Sequence, residues 1–261
     1  MTVPRPAPSV EEVTNLCCRY EYTLRLRGFT SEARGESQIC EEGPNERLRR
    51  RIREAAHLPP PVILRGLLDG IPGLIDAVYS HAREAGRFWA DGTPLGYEPA
   101  WKCYGDSEHT VKLLHAPGTM RDGVSRSFGD AHPSLLRQLL ATVRQRAAMA
   151  AMCPLDEQLN IRCIELHHYE AGSGLDDIGH VDIGSTITLS VLLSPPGSAK
   201  CGGRFSTIDA NGPTEYALDL GDAILFCSEQ VHNVSRVREA TRDSLVIELW
   251  KGAANSHDRY S

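Results

Sequence analysis

The chain has 261 residues, of which 24% are charged, and its formal net charge is −6. This length suits one large domain or two small ones. Without a basic excess, a nucleic-acid partner or a membrane surface is not indicated. No apolar run approaches the ~18 residues that a membrane span needs, and the first residues do not resemble a secretory signal. We therefore expect a cytoplasmic or nuclear protein.

Eight cysteines are spread along the chain without a Cys-x-x-Cys pair. A zinc ribbon or a thioredoxin-type site is therefore not indicated. We interpret the cysteines as reduced and mostly structural, which fits a reducing compartment.

The first third of the chain gives weak signals. Residues 1–9 are rich in proline and are expected to be disordered. Alternating apolar residues over 18–26 indicate a strand. Residues 46–56 are predicted to form a short helix, and we interpret the basic run at 47–53 as its solvated face.

Two further helices are predicted with more support. Residues 72–89 and 133–151 carry apolar side chains at helical spacing, and Pro72 and Pro133 suit a first helical turn. We therefore expect residues 1–155 to form a mainly helical support region that can also contribute strands to the core.

The character of the sequence changes after position 154. Short β-rich segments follow one another, and Gly, Pro, Asn or Asp separate most of them. They cover 161–169, 186–194, 203–209, 214–220, 222–227, 231–237 and 243–250. Seven closely spaced strands predict a β-sandwich or jelly roll. The chain is thus expected to be α+β, with a β core at 156–255 braced by N-terminal helices.

The triplet His180-Val181-Asp182 stands just before the clearest strand. In extended backbone, residues i and i+2 project to the same side, so His180 and Asp182 can hold one ion together. A histidine two residues before an acid is common by chance, however, and His168-Tyr169-Glu170 is a second example. The competing pair therefore remains open.

His232 and Arg242 complete the candidate site that His180 and Asp182 begin. Two imidazoles and one carboxylate are the ligand set of facial iron(II) sites with open positions. The guanidinium of Arg242 offers the two-pronged donor that a dicarboxylate needs, and Ser244 shares its face of the last strand. These residue types predict an oxygenase.

The ordered set of His180, Asp182, His232 and Arg242-x-Ser244 resembles the 2-oxoglutarate/iron(II)-dependent oxygenase superfamily, nearest to its prolyl 4-hydroxylase-like branch. The resemblance covers residues 160–251 and includes the paired glycines 202–203. It implies a double-stranded β-helix with iron on His180, Asp182 and His232. It also implies 2-oxoglutarate as cosubstrate on Arg242, with Tyr169 as a further contact, dioxygen as oxidant and ascorbate as an optional reductant.

The resemblance implies hydroxylation of a C–H bond, either in a peptidyl residue such as proline or in a small molecule. Nucleic-acid demethylating relatives carry a second arginine six residues after the first, and this chain has Glu248 there. Two alternatives stay open: a β-sandwich binding module without activity, and a zinc enzyme of the cupin type, which needs no keto-acid anchor.

Overall fold

A computed structural model of the protein describes residues 44–84, 98–99, 109–116, 119–120, 123–124, 126–175, 177, 179–196 and 201–256. The segments predicted at 1–9 and 18–26 lie outside these ranges. Within the described residues, no helix is long and apolar enough to cross a membrane. The cysteines in these ranges, Cys153, Cys163, Cys201 and Cys227, are free thiols.

Four α-helices and one 3₁₀ helix are described. They are α1 (Pro44–Ala55), a 3₁₀ helix (Leu67–Gly70), α2 (Leu74–Glu84), α3 (Phe128–Ala131) and α4 (Pro133–Met149). Helix α4 begins at Pro133, as predicted. Helix α2 begins two residues after Pro72, because Gly73 has a φ of 85° and its carbonyl accepts the first helical hydrogen bond, from Ala77. The predicted residues 85–89 of this helix lie outside the described ranges.

Twelve strands are described. They are β1 (Val62–Leu64), β2 (Glu98–Pro99), β3 (His109–Leu113), β4 (Thr119–Met120), β5 (Gly123–Val124), β6 (Asn160–Tyr169), β7 (Ile187–Leu192), β8 (Phe205–Asp209), β9 (Gly212–Tyr216), β10 (Ala223–Cys227), β11 (His232–Val234) and β12 (Arg242–Trp250). All seven segments predicted after position 154 are strands, most of them one to four residues shorter than expected.

The strands form two packed antiparallel sheets and a separate two-stranded ribbon. The major sheet has the order β1-β10-β7-β12-β6-β3-β2, and the minor sheet has the order β11-β8-β9. Neighbours β7 and β10 are distant in sequence order, which is the crossed connectivity of a jelly roll. Strands from the first half of the chain occupy both edges of the major sheet.

Two apolar layers fix the position of the major sheet. Its outer face packs against α2 and α4, where Val78, Leu139 and Val143 meet Ile164 and Ile247. Its inner face packs against the minor sheet through Tyr169, Leu192, Phe205, Leu218, Ile224, Phe226, Val234 and Val237. Because side chains alternate along a strand, the odd-numbered polar residues of β6 also face inward, as do Arg242, Ser244 and Glu248, the polar residues of β12 that pair with odd-numbered residues of β6. The space between the sheets therefore receives them.

Candidate metal centre and cosubstrate pocket

Three predicted ligands meet at one point between the sheets. The Oδ1 atom of Asp182 lies 3.2 Å from Nε2 of His180 and 3.7 Å from Nε2 of His232. One ligand atom from each of the three residues lies within 4.8 Å of the other two. Ligand atoms at ~2.1 Å from a common metal ion would have similar separations. The geometry thus suits one ion bound by all three.

Backbone hydrogen bonds join the two segments that carry these ligands. The amide of Asp182 donates to the carbonyl of Ser228 (2.9 Å), and the amide of His232 donates to the carbonyl of His180 (3.0 Å). The loop before β7 is therefore tied to the start of β11. Residues fifty positions apart in sequence are held in one cluster by these contacts.

Neighbouring polar groups orient two of the ligands. The Nδ1 atom of His232 lies 3.0 Å from the carbonyl oxygen of Gln230. When Nδ1 donates its proton to this oxygen, Nε2 keeps a free electron pair and is the nitrogen available to a metal. The hydroxyl of Thr188 donates to Oδ2 of Asp182 at 2.7 Å, so Oδ1 faces the histidines. Such partners fix ligand orientation and strengthen metal binding.

The electrostatics favour the protonation states that bind metal. Burial works against ionisation of Asp182, but the nearby His232 and the hydrogen bonds of His180 and Thr188 outweigh it, and its pKa is lowered. Burial lowers the pKa of His232 as well, against the opposing charge of Asp182. A carboxylate and a neutral imidazole are the forms that donate electrons to a cation.

The His232 ring packs against two aromatic rings. The Phe226 ring centroid lies 4.7 Å from the His232 ring, and the Phe205 ring stacks on it at 5.7 Å. The pair shields one side of the cluster from water. His180, with 26% of its side chain exposed, lies on the open side.

Arg242 stands at the start of β12 with only 5% of its surface exposed. Its Nη1 donates to the hydroxyl of Ser244 (2.9 Å), and its guanidinium carbon lies 5.6 Å from the ring of Tyr169. Its Nε has no hydrogen-bond partner among the described residues. Burial lowers the pKa of Arg242, yet a guanidinium stays charged in proteins. A buried cation with a spare donor is a site for an anion.

A cavity of about 240 Å³ borders this guanidinium. Its wall includes Leu192, Phe205 and Leu218 on the apolar side and Gly203 close to Arg242. A Cβ on Gly203 would lie 3.1 Å from Cδ of Arg242, so the glycine leaves room for the arginine. Phe205 both lines the cavity and stacks on His232, which links the arginine pocket to the ligand cluster.

The competing pair does not form a comparable site. His168 Nδ1 lies 2.6 Å from Oδ1 of Asp243, and its Nε2 is 3.8 Å from Glu170. More than half of the Glu170 side chain is exposed, at 54%. Neither residue belongs to a three-ligand group within the ranges described for the chain.

A second buried cluster lies on the inner face of the major sheet. It consists of Cys163, Glu165 and Glu248, whose ligand atoms lie within 4.8 Å of one another. Glu248 accepts hydrogen bonds from Ser185 (2.5 Å) and from Arg162 (2.9 Å), and a β-bulge between β6 and β12 places Arg162 there. Burial and the charges of Asp182 and Glu165 raise the pKa of Glu248 to about 7. This cluster was not predicted from the sequence, because it depends on strand register.

A chain of polar side chains continues from this cluster toward Tyr169. His167 Nε2 lies 2.9 Å from Glu165 Oε2, and its Nδ1 lies 3.0 Å from Nε2 of His109. The His109 ring in turn stacks on Tyr169 at 3.9 Å. These contacts of His167 were not predicted from the sequence. His109 could not be linked to it before the β3–β6 pairing was known.

No model of a known protein family matches the sequence, and no curated protein matches it. Among solved structures, a 2OG-Fe(II) oxygenase family oxidoreductase from Burkholderia pseudomallei is similar with a TM-score of 0.53 and 17% identity, over 87% of this chain and 98% of that one.

Two further solved structures have lower scores. A prolyl-4-hydroxylase from Pseudomonas putida has a TM-score of 0.49 and 14% identity over 79% of this chain and 100% of its own. A prolyl hydroxylase from Trichoplax adhaerens, in complex with a hypoxia inducible factor peptide fragment, has a TM-score of 0.48 and 13% identity over 79% and 91%. The chain thus has the fold of the oxidoreductase from Burkholderia pseudomallei, a member of the 2OG-Fe(II) oxygenase family.

Proposed function

We propose that the protein is an iron(II)- and 2-oxoglutarate-dependent dioxygenase that hydroxylates a C–H bond of a peptidyl residue, proline-like, or of a small molecule. In the balanced reaction, substrate C–H, 2-oxoglutarate and O₂ give substrate C–OH, succinate and CO₂. The keto acid is oxidised by two electrons and the substrate by two, and both reduce one O₂. The supporting observation is the convergence of His180, Asp182 and His232, together with a cavity that borders the buried Arg242 and shares Phe205 with the surroundings of His232.

The donor set of the cluster fits the metal. Two neutral imidazoles and one carboxylate hold iron(II) on one face and leave other positions for exogenous ligands. When bound, iron and 2-oxoglutarate together supply the oxidising chemistry. Asp182 and the two histidines would hold the metal, while Thr188 and the Gln230 carbonyl keep two of these ligands in orientation.

Arg242 supports the choice of a keto-acid cosubstrate over a zinc site of the cupin type. Its guanidinium would bind the distal carboxylate of 2-oxoglutarate, with the hydroxyl of Ser244 beside it. Tyr169 would contact the same end of the cosubstrate. A zinc enzyme of the cupin type needs no anchor for a keto acid, so the buried cation bordering this cavity favours the keto-acid cosubstrate.

The direct test is succinate release from 2-oxoglutarate with Fe(II), ascorbate and air. We expect wild-type protein to form succinate and Asp182→Ala to form none, since the metal loses its only carboxylate ligand. Glu170→Ala, which changes the exposed acid of the competing triplet, should keep at least half of the rate. Loss of activity in Glu170→Ala with retention in Asp182→Ala would contradict the assignment.

The cosubstrate site has its own test. Arg242→Lys keeps the charge but loses the two-pronged geometry, and we expect the KM for 2-oxoglutarate to rise about 10-fold or more, corresponding to ~1.4 kcal/mol. The exposed Arg238→Ala is the matched control and should have an unchanged KM. An unchanged KM in both Arg242→Lys and Arg242→Ala would show that Arg242 does not bind the cosubstrate.

A further inference from the structure

Helix α1 lies against the loop that carries His180 and Asp182. Arg51 donates a hydrogen bond to the carbonyl of Gly179, the residue directly before His180. Its Nη1 lies 3.9 Å from Oδ2 of Asp177, and Nη2 of Arg47 lies 3.7 Å from Oδ1 of the same carboxylate. The prediction that the basic run is a solvated face is therefore wrong for Arg51, whose side chain is 14% exposed, while the side chain of Arg47 is 39% exposed. Arginines four positions apart share one face of a helix, and this face is turned toward Asp177.

The apolar residues of the same face contact both ligand segments. Leu48 and Ile52 are buried against Val231, which directly precedes His232. Val181, between His180 and Asp182, packs against this small cluster as well. One helix thus touches a residue adjacent to each of the three ligands.

Asp177 is the point at which the loop is held. Its side chain is 8% exposed, and its Oδ1 accepts a hydrogen bond from the amide of Gly179 (2.9 Å). Its backbone carbonyl accepts a hydrogen bond from the side chain of Asn233 (3.3 Å), next to His232 in sequence. The carboxylate therefore shapes the turn, and the arginines of α1 neutralise its charge.

We propose that α1 is a positioning element for the metal, and that Arg51 and Asp177 set the metal affinity of the His180/Asp182/His232 cluster by holding the ligand loop. The proposal rests on the metal site of the proposed function. His180 and Asp182 lie in a loop without strand pairing, so their separation depends on such contacts. Groups that hydrogen-bond directly to metal ligands contribute about 10- to 100-fold to metal affinity in other proteins, and Arg51 acts one residue further away, through Gly179.

The experiment measures the dissociation constant of Mn(II) alone, by electron paramagnetic resonance, for the full chain. We expect Arg51→Ala to weaken Mn(II) binding about 10-fold, because the Gly179 carbonyl and the Asp177 carboxylate lose their shared donor. Arg50→Ala is the matched control: Arg50 pairs with Glu54 on the exposed side of the same helix and should leave the constant within twofold of wild type. Equal constants for wild type and Arg51→Ala would overturn the proposal.

Three further variants separate positioning from loss of fold. Arg51→Lys should restore part of the affinity, since one ammonium donor can still reach the carbonyl. Asp177→Asn keeps the acceptor for the Gly179 amide but removes the charge, and should weaken binding at least threefold. Val143→Ala, in the outer core on α4, should lower the melting temperature without changing the Mn(II) constant.

The outcomes distinguish this proposal from the proposed function. If Arg51→Ala does not fold, Asp177→Asn decides, and an unchanged constant in that variant overturns the proposal. If Val143→Ala weakens Mn(II) binding as much as Arg51→Ala does, α1 acts through stability alone and the proposal fails. If wild-type protein binds no Mn(II), or if Asp182→Ala binds it equally well, the metal site itself is wrong.

Discussion

Thr188 shows how single residues outside the ligand set shape the site. Its hydroxyl donates to Asp182 and lies 2.9 Å from the hydroxyl of Ser228. The triplet His180-Val181-Asp182 could be recognised from the sequence because its two ligands are two residues apart. Thr188 could not, since its role depends on the parity of β7 and on the path of the preceding turn.

Thr188→Val should weaken Mn(II) binding about 10-fold while the fold is retained, because the shape is preserved and only the hydroxyl is lost. The measurement is the Mn(II) dissociation constant, compared with that of Thr214→Val on the exposed side of β9. A constant equal to that of wild type would show that Asp182 is oriented without this hydrogen bond.

Glu248 has a predictable effect on the pH dependence of stability. Burial and neighbouring carboxylates raise its pKa from 4.5 to about 7, so the folded state disfavours the ionised form. The contribution of protonated Glu248 to the free energy of unfolding is fully present below pH 4.5. It is lost as the pH rises through about 7. A glutamine at position 248 cannot ionise, so its contribution to stability does not fall as the pH rises.

Glu248→Gln should therefore gain stability relative to wild type between pH 5 and pH 8, by up to about 3 kcal/mol. The check is urea unfolding of both metal-free proteins at several pH values. A difference in the free energy of unfolding that stays constant over this range would contradict the raised pKa.

At the scale of elements, the seven strands after position 154 could be predicted because turn residues separate short β-rich runs. Their pairing could not, and neither could the register that places Tyr169 opposite Arg242. The inward face of α1 also escaped prediction: a run of arginines contains no signal for which of them meet an acid distant in sequence. Contacts of that kind are set by packing rather than by local periodicity.

Gly202, directly before β8, gives a prediction at this scale when it is compared with Gly172. Gly202 has a φ of 71°, and a Cβ there would lie 1.9 Å from the carbonyl oxygen of Arg236. Gly172 has a φ of 101° with open space around it. Gly172→Ala should cost about 1–2 kcal/mol from backbone strain alone, while Gly202→Ala should cost more than about 3 kcal/mol.

Chemical denaturation of the two variants provides the comparison. Similar losses in both would mean that the turn at Gly202 relaxes without cost and that the close approach to Arg236 is unimportant.

For the whole molecule, metal binding and global stability should be linked, because the ligands come from segments fifty residues apart. An excess of Mn(II) at 100 times its dissociation constant should raise the free energy of unfolding of wild-type protein by ~2.7 kcal/mol. The Asp182→Ala variant should gain much less. An equal gain in that variant would place the ion elsewhere in the protein, for instance at Cys163, Glu165 and Glu248.

The two-sheet architecture was predictable as a class, and α1 and α2 lie near the helices predicted at 46–56 and 72–89, whereas the 3₁₀ helix and α3 were not predicted. How that half completes the site was not, since β1 and β3 join the major sheet and α1 joins the ligand loop only in three dimensions. In the space between the sheets, a metal and a dicarboxylate are expected side by side.

A crystal structure of the protein with Mn(II) and N-oxalylglycine, an inert analogue of 2-oxoglutarate, tests that claim most directly. We predict one Mn(II) bound by the Nε2 atoms of His180 and His232 and by the Asp182 carboxylate, with the distal carboxylate of the analogue on the guanidinium of Arg242. A metal bound by other residues, or an analogue whose carboxylate lies away from Arg242, would contradict it.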